Sequence, residues 1–223
     1  MTDDTAPSQS AHRPAPAPAE LAAALAARLC HDFISPASAV VSGVDLLEDP
    51  ESQDLREDAL SLIATSSRKL AALLQFCRVA FGASASADTF DSRELFKLAQ
   101  GVFEHQRADL DWSVAMDSVN KPTARTLLNL AQLGASALPR GGSARVTATA
   151  TDGQVVAEVV ASGPSIKLRP EVAEGLGGHG MNDGLAGHWV QAYYLASFVG
   201  DAGGTVAFDL TEEALTIRVR LPA

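Results

Sequence analysis

The sequence predicts an α+β protein in which an N-terminal helical hairpin precedes a two-layer α/β sandwich. Three observations lead there. From about 19 to 48 and from about 52 to 82, apolar residues recur every three or four positions, and only the short connection EDPES separates the two runs. A small, polar segment, GASASAD (82–88), then ends the helical pattern. Beyond it, alternating segments rich in valine, alanine and threonine are interleaved with further helical stretches, as in a sheet covered by helices.

Taken in order, residues 1–18 are rich in Ala, Pro and Ser and hold too few apolar side chains to bury a core, so a disordered tail is expected. Pro18 suits a first helical position. The first helix carries its stripe on Leu21, Leu25, Leu29, Phe33, Pro36, Val40, Val44 and Leu47; the second carries Leu55, Ala59, Leu62, Ile63, Ser66, Leu70, Leu73, Leu74, Cys77 and Phe81. A short connection makes the pair antiparallel. Ile34, Val41 and Leu60 lie on the flanks, outside the stripes. Two hairpins joined as a four-helix bundle would bury them, so a homodimer is expected.

Residues 83–90 read as a linker, and 91–223 as the second domain. Asp91 with Glu94 resembles a capping box that opens a helix to about 106. WSVAMDS (112–118) alternates like a strand, and KPTARTLLNLAQLGASAL (121–138) is helical with proline near its start. RVTATA and QVVAEVV flank Asp152-Gly153, a hairpin signal. A glycine-rich loop over 175–187, a helix over about 188–199, and the hairpin GTVAFDL with ALTIRVRL close the chain.

The net charge of −10 leaves no basic stripe with which to neutralise phosphates, which argues against a nucleic-acid partner and for a protein one. No apolar run reaches membrane-spanning length, and MTDDTAPSQS lacks a basic signal-peptide start, so a cytoplasmic location is expected. Cys30 and Cys77 fall on separate helices and form neither a metal motif nor a redox pair; both are expected to be reduced core thiols.

The chemistry lies in RLCHDFISPAS (28–38). At about 100° per residue His31 falls roughly opposite the apolar stripe, facing solvent, with Ser35, Ser38, Ser42 and Asp45 close to it on a small-residue polar face. Pro36 removes a backbone donor and clashes with the carbonyl of Asp32 at a cost of about 3 kcal/mol, a kink that functional sites tolerate. An exposed imidazole that is neutral near physiological pH offers a nucleophilic ring nitrogen, and Asp32 can orient it by accepting from the other. No second histidine or cysteine stands one turn away, so a metal site is disfavoured. His12, His105, His179 and His188 read as tail, surface, loop or packing residues.

Histidine, an acid, two residues, a hydroxyl residue and proline, on the first helix of a dimerising hairpin, resemble the H-box of bacterial histidine kinases. ARTLLNLAQLGASALPRGG (124–142) is similar to the kinase N-box helix, VVASGPSI (159–166) to the aspartate-glycine box, and GLAGHWVQAYYLASFVGDAGGTVAF (184–208) to the last glycine box with its helix and strand. The departures matter as much. Asn129 matches the first N-box asparagine, but Leu133 stands where the magnesium ligand belongs, Ala161 where the adenine-reading aspartate belongs, and Ser165 replaces a glycine. The phosphate loop has become Gly184-Leu185-Ala186-Gly187. Hydrogen bonds of about 1.5–3 kcal/mol each are thereby lost, and nucleotide binding is expected to be abolished.

A phosphorylatable histidine beside a degenerate kinase-ATPase-like domain resembles the ChpT family of alphaproteobacterial histidine phosphotransferases. That resemblance implies a dimeric phosphorelay protein, with 19–82 as the dimerisation and phosphotransfer hairpin. It further implies that His31 accepts the phosphoryl group from a receiver aspartate of a hybrid kinase and passes it to response-regulator receiver domains, in cell-cycle control. Asp32 would orient His31, and Ser35 occupies a position linked in some kinases to a hydrolytic water. It implies no cofactor of the chain's own, no ATP, and magnesium brought by the receiver, which would dock near His31 and on Val41, Val44 and the second helix. A soluble ATP-dependent histidine kinase with a divergent nucleotide site and a non-catalytic receiver-binding scaffold are the alternatives.

Overall fold

The computed structural model describes residues 14–82, 88–181 and 186–223. Most of the expected tail, with His12, and most of the expected linker lie outside the described residues, as do Gly184 and Leu185 of the glycine-rich loop.

Helix α1 (Pro18–Glu48) begins on proline, and the Glu20 carboxylate accepts from the Ala17 N–H at 2.9 Å. The helix continues unbroken through Pro36, whose ring is buried. At its end Asp49 accepts from the N–H of Glu51 and the hydroxyl of Ser52, opening a 3₁₀ segment (Pro50–Leu55) that turns the chain into helix α2 (Arg56–Ala80). Gly43 sets the approach of the two helices: a Cβ there would lie 2.6 Å from Ile63 and 3.1 Å from the Ala59 carbonyl.

The hairpin is packed onto the rest of the chain. Leu21 and Leu25 of α1 pack against Trp189 and Tyr193, while Phe76, Val79 and Ala80 of α2 join the main core. Strands β1 (Thr89–Asp91) and β3 (Ser118–Asn120) form a two-stranded antiparallel ribbon, and each delivers an N-cap. Asp91 caps helix α3 (Ser92–Phe103) through the N–H groups of Arg93 and Glu94; Asn120 caps helix α4 (Lys121–Ser136) through Thr123 N–H at 3.0 Å. The expected capping box is only half made, because the Glu94 carboxylate accepts from Lys97 at 2.7 Å instead.

Strands β2 (Ala108–Val114), β4 (Gly142–Thr151), β5 (Gln154–Ser162), β6 (Thr205–Leu210) and β7 (Leu215–Pro222) make one sheet in the order β2-β4-β5-β7-β6, parallel only between β2 and β4. Helix α5 (Pro170–Leu176) and helix α6 (Ala186–Asp201) complete the helical layer. Val146, Val159, Ala157, Ile217 and Val219 face α4 and α6 and are fully buried, whereas the opposite face carries the ion pairs Arg145–Asp111 and Arg218–Glu158. One covered and one wet face give the alternation seen in the sequence. The β4–β5 turn has positive φ at Asp152 (53°) and Gly153 (73°), as a tight hairpin requires. At Gly134, α4 lies so close to the sheet that a Cβ would meet Val159 at 2.6 Å.

The α+β class agrees with the sequence, as does the order of the elements it foresaw; β1, β3 and α5 are additional. The boundaries needed correction: the strand expected at 112–118 runs from 108 to 114, the helix expected to 106 ends at 103, and the start of the expected glycine-rich loop belongs to α5.

Candidate functional site

His31 stands on α1 with 86% of its side chain exposed, and Ser35, Ser38, Ser42 and Asp45 lie on the same helix. Leu29 and Phe33 on the other side are half-buried and Pro36 is buried, so the helical period alone turns the imidazole outward. The ring is nevertheless held. Its Nδ1 lies 3.2 Å from Asp32 Oδ1, a hydrogen bond when the proton is on Nδ1, and the other carboxylate oxygen, Oδ2, accepts from Arg28 Nε–H at 2.8 Å. Arg28 donates a second hydrogen bond to the carbonyl of Gly187 in α6. The tether engages Nδ1 and leaves Nε2 as the ring nitrogen available to a partner.

Clefts open on either side. One, of about 290 Å³, lies between the hairpin and the ends of α3 and α4, and is lined by Arg28, His31, Asp32 and Ser35 together with Lys69, His105 and Gln132. The other, of about 340 Å³, is more apolar and lies against α6, with Ala24, Ala27, Ala186, Gly187 and His188 beside the same Arg28–His31–Asp32 group. Burial lowers the pKa of His188, and the guanidiniums of Arg169 and Arg28 lower it further. Two histidines, His105 and His188, expected from sequence to be surface or packing residues, therefore border the site.

The positions that resemble a nucleotide site are filled differently. Asn129 is fully buried and its amide is committed: Nδ2 donates to the carbonyls of Ala80 (3.0 Å) and Arg125 (2.9 Å), and Oδ1 accepts from Gln191 at 3.3 Å. Gln191 also donates to Gln132 at 2.8 Å. This network ties the end of α2 to α4 and α6. Leu133 and Ala161 are buried, and Ser165 is half-buried. A cleft of about 60 Å³ lies beside Leu133, lined also by Lys167, Val172 and His188. No cluster of three or more His, Cys, Asp or Glu suited to a metal occurs among the described residues.

The expectation of two core thiols holds for one. Cys77 is half-buried, and burial, with the Asp32 carboxylate adding to it, pushes its pKa up to about 12. Cys30 is exposed, because its position beside His31 lies off the apolar stripe. Sequence reasoning missed Arg28, Lys69, His105, Gln132 and Gly187. Only Arg28 left a local signal, its spacing of four from Asp32 on one helical face; the others reach the site through tertiary packing.

Comparisons with known proteins bear on the family and the fold. Residues 92–214 match the family model described as the histidine phosphotransferase C-terminal domain. Over 195 residues the chain is 33% identical to protein phosphotransferase ChpT of Brucella abortus (strain 2308), covering 87% of this chain and 92% of that one. A solved structure described as a bacterial phosphotransferase superposes with a TM-score of 0.82 at 30% identity, over 94% of this chain and all of the other.

Proposed function

The chain belongs to the ChpT-type histidine phosphotransferase family, and on that premise we propose that His31 is its phosphoryl carrier in a two-component phosphorelay. One observation carries the assignment: an exposed imidazole whose Nδ1 is tethered by Asp32, leaving Nε2 for the incoming group. A receiver aspartyl phosphate approaching the polar face meets that nitrogen in line. As the P–N bond forms, the P–O bond to the receiver aspartate breaks and its carboxylate leaves. The ring becomes cationic, with its N–H directed at Asp32, so the carboxylate stabilises the charge as it develops. The remaining acceleration comes from positioning and from charge neutralisation by magnesium that the receiver brings. Both linkages are high in energy, so the reverse transfer to a response regulator uses the same geometry.

The donor is a hybrid-kinase receiver rather than ATP. Leu133 and Ala161 offer no metal ligand and no nucleobase acceptor, which supports that reading. The working form is a homodimer, since Ile34, Val41 and Leu60 project apolar surface from the hairpin. Cell-cycle response regulators are the expected recipients.

The decisive experiment mixes the full chain with a receiver domain phosphorylated on aspartate in the presence of magnesium. Acid-labile, base-stable label should appear on the chain and disappear in His31→Ala, with unchanged thermal stability because the side chain is exposed. Label retained by His31→Ala overturns the acceptor assignment. Micromolar binding of Mg-ATP, or label arriving from ATP, overturns the ATP-independent donor.

A further inference from the structure

We propose that Arg28 is a positioning residue for the transfer, acting through Asp32 on the proton placement of His31; the inference rests on His31 being the acceptor. Asp32 tethers the imidazole and uses one oxygen for it, at 3.2 Å from Nδ1. A carboxylate on an exposed helical face rotates readily about its terminal torsion. Here rotation is stopped, because the second oxygen accepts from Arg28 Nε–H at 2.8 Å. Arg28 is itself anchored by its second hydrogen bond, to the Gly187 carbonyl of α6. The planar fork of a guanidinium holds both partners at once, which a lysine ammonium on a flexible stem does less well.

Exposure falls inward along this chain of contacts: 86% for the His31 side chain, 24% for Asp32 and 21% for Arg28. The outermost group is the one that reacts, and the inner two fix it. An untethered neutral imidazole distributes its proton over both nitrogens, and only the form with the proton on Nδ1 leaves the Nε2 lone pair free to attack. Arg28 thus raises the share of reactive rings without touching the phosphoryl group. Its anchor in α6 also makes the sandwich layer a structural support of a reaction that takes place on the hairpin. That gives the second region a use that nucleotide binding does not supply.

Phosphoramidate tests this without any receiver, so receiver contacts cannot confuse the result. His31 Nε2 attacks its phosphorus, the P–N bond to the amine breaks, ammonia leaves with its own protons, and intact mass follows the gain. Arg28→Met should slow phosphorylation of the full chain about tenfold, with Arg28→Lys recovering part of the loss. In ¹⁵N spectra the His31 ring should pass from mainly Nδ1-protonated to a mixture of tautomers in Arg28→Met. Asp32→Asn should be slow as well, and the double variant no slower than the slower single one, because both changes break one chain of contacts. Arg28→Gln repeats the comparison if Arg28→Met loses helical content. A wild-type rate in Arg28→Met, a double variant whose loss is the product of the singles, or slow transfer with unaltered ring signals overturns the proposal. Phosphorylation surviving in His31→Ala would instead remove the acceptor reading beneath it.

Discussion

Helix α4 and helix α1 meet solvent in opposite ways. In α4, Leu127, Leu128 and Leu130 are fully buried between the sheet and the neighbouring helices. In α1, only Pro36 and Gly43 are buried, while Ile34 is 63% and Val41 59% exposed. The sandwich is a finished core; the hairpin has one side packed and one side open. His31 stands at the border of the packed side, between clefts walled by α3, α4 and α6. The exposed apolar residues of the hairpin are left open by the chain's own packing, and the closed core lies in the sandwich.

Variants that treat the two helices alike should expose this difference. Leu127→Ala removes side-chain volume from the finished core and should cost about 2–5 kcal/mol in a urea titration, while each folded molecule still accepts a phosphoryl group. A cost near zero would mean that the core is not closed. Ile34→Ser combined with Val41→Ser should change unfolding of the isolated chain by less than about 0.5 kcal/mol, yet shift sedimentation from dimer to monomer. A dimer that persists at micromolar concentration would place the interface elsewhere. The smallest effect concerns the cysteines. The pKa of Cys77 is raised to about 12, so its thiolate forms only in strongly alkaline solution. Iodoacetamide near neutral pH should therefore modify exposed Cys30 in the native protein and Cys77 only after unfolding. Equal rates would show that the hairpin opens on the timescale of labelling.

Much of the fold was legible locally. Apolar spacing marked α1, α2 and α4, and Asp152-Gly153 marked the β4–β5 hairpin, because helical period and positive-φ turns are set by neighbours in sequence. β1 and β3 went unread: three residues each carry too little period to register, and they exist by pairing with one another. Helix α5 went unread, with only its last two residues in the expected glycine-rich loop; its Gly175 packs within 3 Å, for an added Cβ, of the backbone of α6.

The site divides along the same line. His31 and Ser35 could be placed outward from the sequence, since one helix fixes their directions, and Asp32 could be placed beside His31. That Asp32 is shared between His31 and Arg28, that Arg28 reaches Gly187, and that Lys69, His105 and Gln132 line the same cleft required the folded chain. Arg28, His31 and Asp32 are neighbours on one helix, but Gly187, Lys69, His105 and Gln132 are far from them in sequence, and only the packing of α1 and α2 against α3, α4 and α6 brings these into reach. The sequence by itself determined where the reactive nitrogen is presented, because a helix repeats every few residues. The tertiary structure decided what anchors the groups that hold it, because Arg28 reaches the Gly187 carbonyl only once the core has set α6 against α1.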